Sequence, residues 1–149
     1  GVRQTQRKVI DKGVLQTWLL STSDAMQLGL QSTGHASRGI NTPPYPSPSN
    51  LYMEPGSVTP AELMRDIRHG VYLTNVYGSG IDIITGDVSL GAAGFLIENG
   101  EITVPVAGIT IAGNLRDMFR NVTAANDLVF RYGTDAPTLR IDGMTVAGN

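Results

Sequence analysis

The chain has 149 residues, of which 41% are hydrophobic and 16% charged, and its net charge is −2. That length suits a single domain with a sizeable core, and that balance argues against intrinsic disorder and against a global basic field for drawing in DNA or RNA. Cysteine is absent, which removes disulfides, thiolate metal sites and cysteine nucleophiles, and no stretch approaches the ~20 apolar residues needed to span a bilayer.

The opening Gly1-Val2-Arg3-Gln4 has no initiator methionine and no apolar signal-peptide core. It reads as a strand already under way, so we expect one domain over residues 1–149 of a parent chain whose N-terminal portion lies outside it. Residues 4–10 and 14–20 are β-prone and flank Asp11-Lys12-Gly13, a hairpin signal. Trp18 reads as a core anchor, because an aromatic ring buries a large area. Ser23 is placed to cap a short helix over residues 24–28 that Gly29 closes. Residues 42–49 carry Pro43, Pro44, Pro46 and Pro48 and predict an extended surface loop, since proline fits neither a helix interior nor a central strand.

Thr59-Pro60-Ala61-Glu62 is a helix start: Thr59 caps, Pro60 fits the first turn and Glu62 completes a capping box. Leu63, Met64 and Ile67 form its apolar stripe and Gly70 is expected to end it. Residues 71–77 read as a strand, Gly78-Ser79-Gly80 breaks it, and residues 81–84 resume it. Residues 92–97 and 101–106 flank Glu98-Asn99-Gly100, where Asn-Gly predicts a tight hairpin, and Pro105 predicts an edge or a bulge. Asn114 is placed to cap a second helix over residues 115–122, with Leu115, Met118, Phe119 and Val122 on one face. Residues 128–130, 139–141 and 144–146 read as short final strands. The expected fold is α+β and β-rich, with antiparallel sheets or a barrel-like sheet and two or three short helices.

The usual catalytic patterns are missing. Gly78-x-Gly80 lacks a third small residue at Ile83 and no P-loop lysine follows, so it predicts a bend and not a nucleotide loop. Ser89 stands one residue too far from Gly86 for a nucleophile elbow. His35 and His69 show no metal-binding spacing. Asp82, Asp87, Glu98 and Glu101 are the acids from which a carboxylate pair would have to be drawn, and turn roles account for the two glutamates.

One stretch is distinctive: Thr85-Gly86-Asp87-Val88-Ser89-Leu90-Gly91-Ala92-Ala93-Gly94-Phe95-Leu96-Ile97-Glu98-Asn99-Gly100-Glu101-Ile102, continued by Pro105-Val106-Ala107-Gly108-Ile109-Thr110-Ile111-Ala112-Gly113-Asn114-Leu115-Arg116-Asp117-Met118. With Gly13-Val14-Leu15, Ser32-Thr33-Gly34, Pro48-Ser49-Asn50-Leu51 and the ending Met144-Thr145-Val146-Ala147-Gly148, it resembles the C-terminal domain of the PmbA/TldD family, in its PmbA (TldE) branch. The resemblance covers almost the whole chain. It implies a cytoplasmic, heterodimeric zinc metallopeptidase that cleaves unfolded peptides, in which a TldD-type subunit is the partner. The family also carries the label of modulator of DNA gyrase, which supplies an alternative: a regulatory protein that contacts gyrase.

In the TldD branch the resemblance implies zinc held by an H-E-x-x-x-H helix of the N-terminal part and a cysteine of the C-terminal domain. This chain has no cysteine, and the departure fits a catalytically silent TldE-type subunit. No catalytic residue and no metal ligand carries over; zinc is expected in the TldD-type partner and no cofactor in this chain. Contact with extended peptide is expected at Gly78, Gly80, Thr85, Gly86, Asp87 and Ser89, where glycines permit close backbone approach. A homodimer when the partner is absent is left open by the sequence, and neither nucleic acid nor membrane is an expected partner.

Overall fold

A computed structural model describes residues 2–148. In chain order the elements are β1 (Ile10–Asp11), β2 (Val14–Leu15), α1 (Thr22–Leu28), β3 (Ala36–Ser37), β4 (Tyr45–Pro46) and β5 (Leu51–Tyr52). They continue with α2 (Pro60–Met64), β6 (His69–Tyr77), β7 (Asp87–Glu98), β8 (Glu101–Asn114), α3 (Leu115–Arg120) and β9 (Val122–Ala124). The last are β10 (Thr134–Asp135), β11 (Leu139–Ile141) and β12 (Thr145–Ala147). This is an α+β, β-rich domain fold, and among the described residues no sheet closes into a barrel. Among the described residues no helix is long and apolar enough to cross a membrane.

The chain forms two compact units. The first comprises residues up to 52 together with 130–135. Its hairpin is tighter than the sequence suggests: only Ile10 and Asp11 pair with Leu15 and Val14, around Lys12 and Gly13, which both take positive φ. Just outside these pairs the Gln16 N–H donates to the Val9 carbonyl at 2.8 Å, the remaining flanking residues join no strand, and Trp18 is 50% exposed rather than a core anchor. Helix α1 starts two residues earlier than expected. Buried Ser21, not Ser23, is its N-cap, accepting from the Asp24 N–H, and Gly29 closes it in the left-handed region. The proline-rich stretch is extended as expected, and Tyr45–Pro46 within it pairs with Ala36–Ser37. β5 and β10 form a short parallel pair, Leu51 beside Thr134 and Tyr52 beside Asp135.

The second unit comprises residues 53–129 and those from 136 onward. Its centre is an antiparallel sheet in the order β12-β8-β7-β6. The β7–β8 hairpin turns at Asn99 and Gly100, whose φ angles of 51° and 86° supply the left-handed pair that a two-residue turn requires. Both strands run far longer than the apolar runs alone indicate, because small residues such as Gly91 and Ala107 continue the ladder. The register slips between Ala92 and Ala93 and again between Phe95 and Ile97, opposite Pro105 and Ile102, so Pro105 sits at an irregularity of the ladder. Ala92, Ile109 and Ile111 are buried on one face, packed by Val71, Leu73, Leu90, Val106 and Met144.

Helix α2 opens on the full capping box, Thr59 and Glu62 each bonding the other's backbone N–H. It ends at Met64, before Ile67, and Gly70 lies inside β6 instead of terminating a helix. Arg140 of β11 joins this region: its Nη1 donates to the Leu63 carbonyl at 2.8 Å and to Asp66, and its Nε donates to Asp142 at 3.0 Å. Helix α3 is capped by Asn114 as expected but stops at Arg120, so Val122 enters β9 and Phe119 is exposed. Residues 128–130 form no strand, whereas 139–141 and 145–147 do.

Candidate functional site

All six residues expected to contact peptide fall in the turn that joins β6 to β7 and in the first residues of β7. The turn is built around Asp82. Its carboxylate Oδ1 accepts the N–H groups of Ile84 (2.8 Å) and Thr85 (3.1 Å), an arrangement aspartate favours in tight turns. Its carbonyl accepts the Gly86 N–H at 2.8 Å, and its own N–H donates to the Asp87 carbonyl at 2.9 Å. Residues 81–84 therefore do not resume a strand; only Ile81 bridges to Val88.

Glycine is required at Gly80 for a steric reason. A Cβ there would stand 1.8 Å from the Ser89 carbonyl oxygen, and the Ser89 N–H donates to the Gly80 carbonyl at 2.7 Å. Asn114, at the junction of β8 and α3, then locks the far side. Its Nδ2 donates to the Thr85 carbonyl at 3.1 Å and to the Asp87 carboxylate at 3.0 Å, while its Oδ1 accepts the Arg116 N–H and so caps α3. The Leu115 N–H reaches the Gly86 carbonyl at 2.7 Å. The Asn114 amide, and after it the Thr85 hydroxyl, hold the Asp87 carboxyl below the usual carboxylate range.

The turn thus uses much of its own polar backbone internally. The N–H groups of Asp82, Ile84, Thr85, Gly86, Asp87 and Ser89 all bond within the turn or its base. What it presents outward is apolar. Ile83 and Ile84 are 87% and 90% exposed, and with Gly80, Ile81 and Ser89 they border an open groove of about 510 Å³. The glycines and the acids here are legible in the sequence, whereas Ile83 and Ile84 read there as part of a resumed strand. Two exposed isoleucines in succession, at the tip of a turn with no helical or strand period, are the signal that was available.

The remaining candidates are scattered. Glu98 and Glu101 face each other across the hairpin turn, and neither approaches Asp82 or Asp87 in the β7–β8 register, whose opposite end carries Asp87 against Asn114. His69 opens β6 beside Glu98, and His35 belongs to the other unit. Among the described residues no three His, Cys, Asp or Glu side chains form a group able to hold a metal ion. The residues present therefore do not fit a zinc site, which needs three protein ligands around one centre. One strand edge lies open in the same sheet, toward the end of β8 away from the turn. β12 covers β8 only at Thr110, Ile111 and Ala112, so residues 101–108 have a partner strand on the β7 side alone among the described residues.

The fold and this site define an α+β domain with a rigid apolar turn and no metal-donor group among its described residues. The model of the PmbA/TldA metallopeptidase C-terminal domain matches residues 1–148, and the chain belongs to this family. Among curated relatives, it is 42% identical to Metalloprotease PmbA of Escherichia coli O157:H7, over 99% of this chain and 31% of that protein. Proteins described as TldD homologues are among the more distant matches. A crystal structure of a Thermotoga maritima protein described as a modulator of a DNA gyrase superposes with a TM-score of 0.84 at 34% identity, covering 98% of this chain and 34% of that one. The structure of TldE from Thermococcus kodakarensis superposes with a TM-score of 0.88 at 21% identity, over 99% of this chain and 35% of that one, a likeness of fold. The chain spans about a third of the length of the curated relatives it matches.

Proposed function

We propose that this chain is the C-terminal domain of a non-catalytic, TldE-type subunit in a heterodimeric zinc metallopeptidase that degrades or matures unfolded peptides. The observation that carries this reading is the donor set: in a family described as metallopeptidase, this domain has no cysteine and no cluster of metal-binding side chains among its described residues. Zinc then belongs to a TldD-type partner, and the working environment is the cytoplasm. The role of this domain is to complete the wall around the partner's active site and to hold extended peptide.

For that second task the β6–β7 turn is suited in a specific way. Its backbone is already bonded, so Gly78, Gly80 and Gly86 act by shaping a close, rigid surface, and Thr85, Asp87 and Ser89 offer side-chain polar groups beside Ile83 and Ile84. A rigid surface loses little conformational entropy when peptide docks. The open edge of residues 101–108 offers the backbone pairing that the turn itself does not.

The test uses the full-length parent chain and a TldD-type protein. Cleavage of an unstructured peptide is followed with each protein alone and with both together. Cleavage only by the mixture, abolished by a chelator, is the expected result; cleavage by this chain alone overturns the reading. The description of the Thermotoga relative supports a second reading, a regulatory contact with gyrase. Gyrase, and not a TldD-type protein, retained by the full-length chain at physiological salt is the outcome that favours it.

A further inference from the structure

The first unit holds a small pocket that no step above uses. Its walls are Tyr52, Phe130 and Tyr132, with Asn50, Leu51 and Asp135 completing the lining, and its volume is about 270 Å³. The sequence brings these residues together by a short parallel ladder. Tyr52 lies directly beside Asp135, so the ring and the carboxylate share one face of the β5–β10 pair. The Leu51 N–H donates to the Gly133 carbonyl at 2.8 Å and fixes the register. The Gln6 amide donates to the Tyr52 hydroxyl at 3.2 Å and steadies that ring from the other side.

The rings are set at right angles. Tyr52 and Phe130 meet edge to face, with centroids 5.1 Å apart and planes 85° apart. Two perpendicular rings make a corner whose walls carry the negative potential of their π-faces. Tyr132 adds a third ring, and it is 78% exposed, while Phe130 is 66% exposed. Exposed rings are common on this chain when single; here three are gathered on one pocket, and it is the clustering that marks a contact site. Asp135 supplies the formal charge. Its Oδ1 accepts the N–H groups of Arg131 (3.2 Å) and Tyr132 (3.1 Å), which anchors the carboxylate at the pocket and leaves Oδ2 with a single long contact at 3.3 Å.

Three aromatic walls with one carboxylate select against anions and against plain hydrocarbon. They favour an organic cation, which gains from each ring face and from the carboxylate together. Size points to a side chain carried on a longer molecule, because the pocket is smaller than typical sites for a whole drug-sized ligand. We propose that Tyr52, Phe130, Tyr132 and Asp135 form an aromatic cage that receives the cationic side chain of a lysine from a polypeptide. The cage needs only the pocket, so the assignment stands apart from the peptidase reading.

The test is ligand-observed NMR on the full-length protein. The probes are Nα-acetyl-lysine-N-methylamide, its uncharged norleucine counterpart, and choline as a free quaternary ammonium. The lysine probe is expected to bind with a dissociation constant on the order of 1 mM, a value suited to a shallow, partly solvated cage, with saturation transferred most strongly to its ε-methylene protons. Tyr132→Leu keeps an apolar wall but removes a π-face, and Asp135→Asn removes the charge. Each is expected to weaken lysine binding about two- to five-fold without altering a thermal melt, since the cation–π and ion-pair contributions at a solvated site are of that order. Equal binding of the norleucine probe overturns the cation assignment. Binding of choline alone overturns the polypeptide source. No saturation transfer from any probe at tenfold that concentration overturns the site.

Discussion

Replacing Asn114 by alanine should loosen the β6–β7 turn and the start of α3 at once. The side chain does three things: it caps α3 through the Arg116 N–H, it holds the Thr85 carbonyl, and it holds the Asp87 carboxylate. Loss of an N-cap acceptor costs about 1 kcal/mol. Loss of the bond to the Thr85 carbonyl adds about 0.5–1 kcal/mol at a half-exposed position. The solvated bond to Asp87 is left out of that sum. The expected destabilisation is about 1.5–2 kcal/mol, or about 3–8 °C in melting temperature for a chain of this size. Urea unfolding should show a lower midpoint with an unchanged slope, and amide exchange should quicken at Ile84, Thr85 and Gly86. The Asp87 carboxyl is held below its ordinary value, so its contribution is present above the unfolded carboxylate pKa and is lost as pH falls through the folded one. The gap between wild type and variant should therefore be widest near neutral pH and narrow in acid. Asn114→Ser, which retains a capping oxygen, should recover most of the loss from the cap while leaving the turn fast-exchanging. A midpoint shift equivalent to less than ~0.5 kcal/mol, or unchanged exchange in the turn, would refute this account of Asn114.

Further outcomes follow from other contacts. Gly80→Ala should cost about 1–3 kcal/mol, because its Cβ would collide with the Ser89 carbonyl and force the bridge open; circular dichroism melts check it. Thr59→Ala should cost about 0.5–2 kcal/mol through the lost cap of α2. The Thr59 backbone N–H holds Glu62 ionised, so Glu62→Gln should destabilise at neutral pH and become silent as pH drops through the folded Glu62 pKa, a trend read from melts across an acid series. The double change Ile83→Ser with Ile84→Ser should leave the melt within about 0.5 kcal/mol of wild type, since both side chains are solvent-exposed, and, on the proposed function, should weaken capture of an unstructured peptide by the proposed heterodimer.

Local signals in the sequence survived folding where their chemistry closes over a few residues. The Thr59 capping box, the Asn114 cap and the Asn99-Gly100 turn each specify their own partners, and all three stand in the structure. Signals that depend on what lies across the sheet were less legible. Gly70 looked like a helix stop but became a strand residue, because pairing with Ile97 outweighed a short helix that had already run out of buried contacts. Trp18 looked like a core residue, yet the first unit has few buried side chains to receive it. The candidate turn was found from its glycines. The cage was not found, because Tyr52 and Phe130 are far apart in the chain and only the parallel β5–β10 pair brings them together.

The three-residue strand β12 has a consequence out of proportion to its length. It covers Thr110, Ile111 and Ala112, the stretch of β8 that includes the buried Ile111. Peeling it away would add Thr110, Ile111 and Ala112 to the already open edge of residues 101–108, leaving the outer edge of β8 uncovered along its length. Such a long apolar edge is a template for unplanned pairing between molecules. β12 thus acts as a guard against aggregation, and Val146→Pro, by removing one ladder N–H, should show itself as turbidity on mild heating before any global unfolding is detectable.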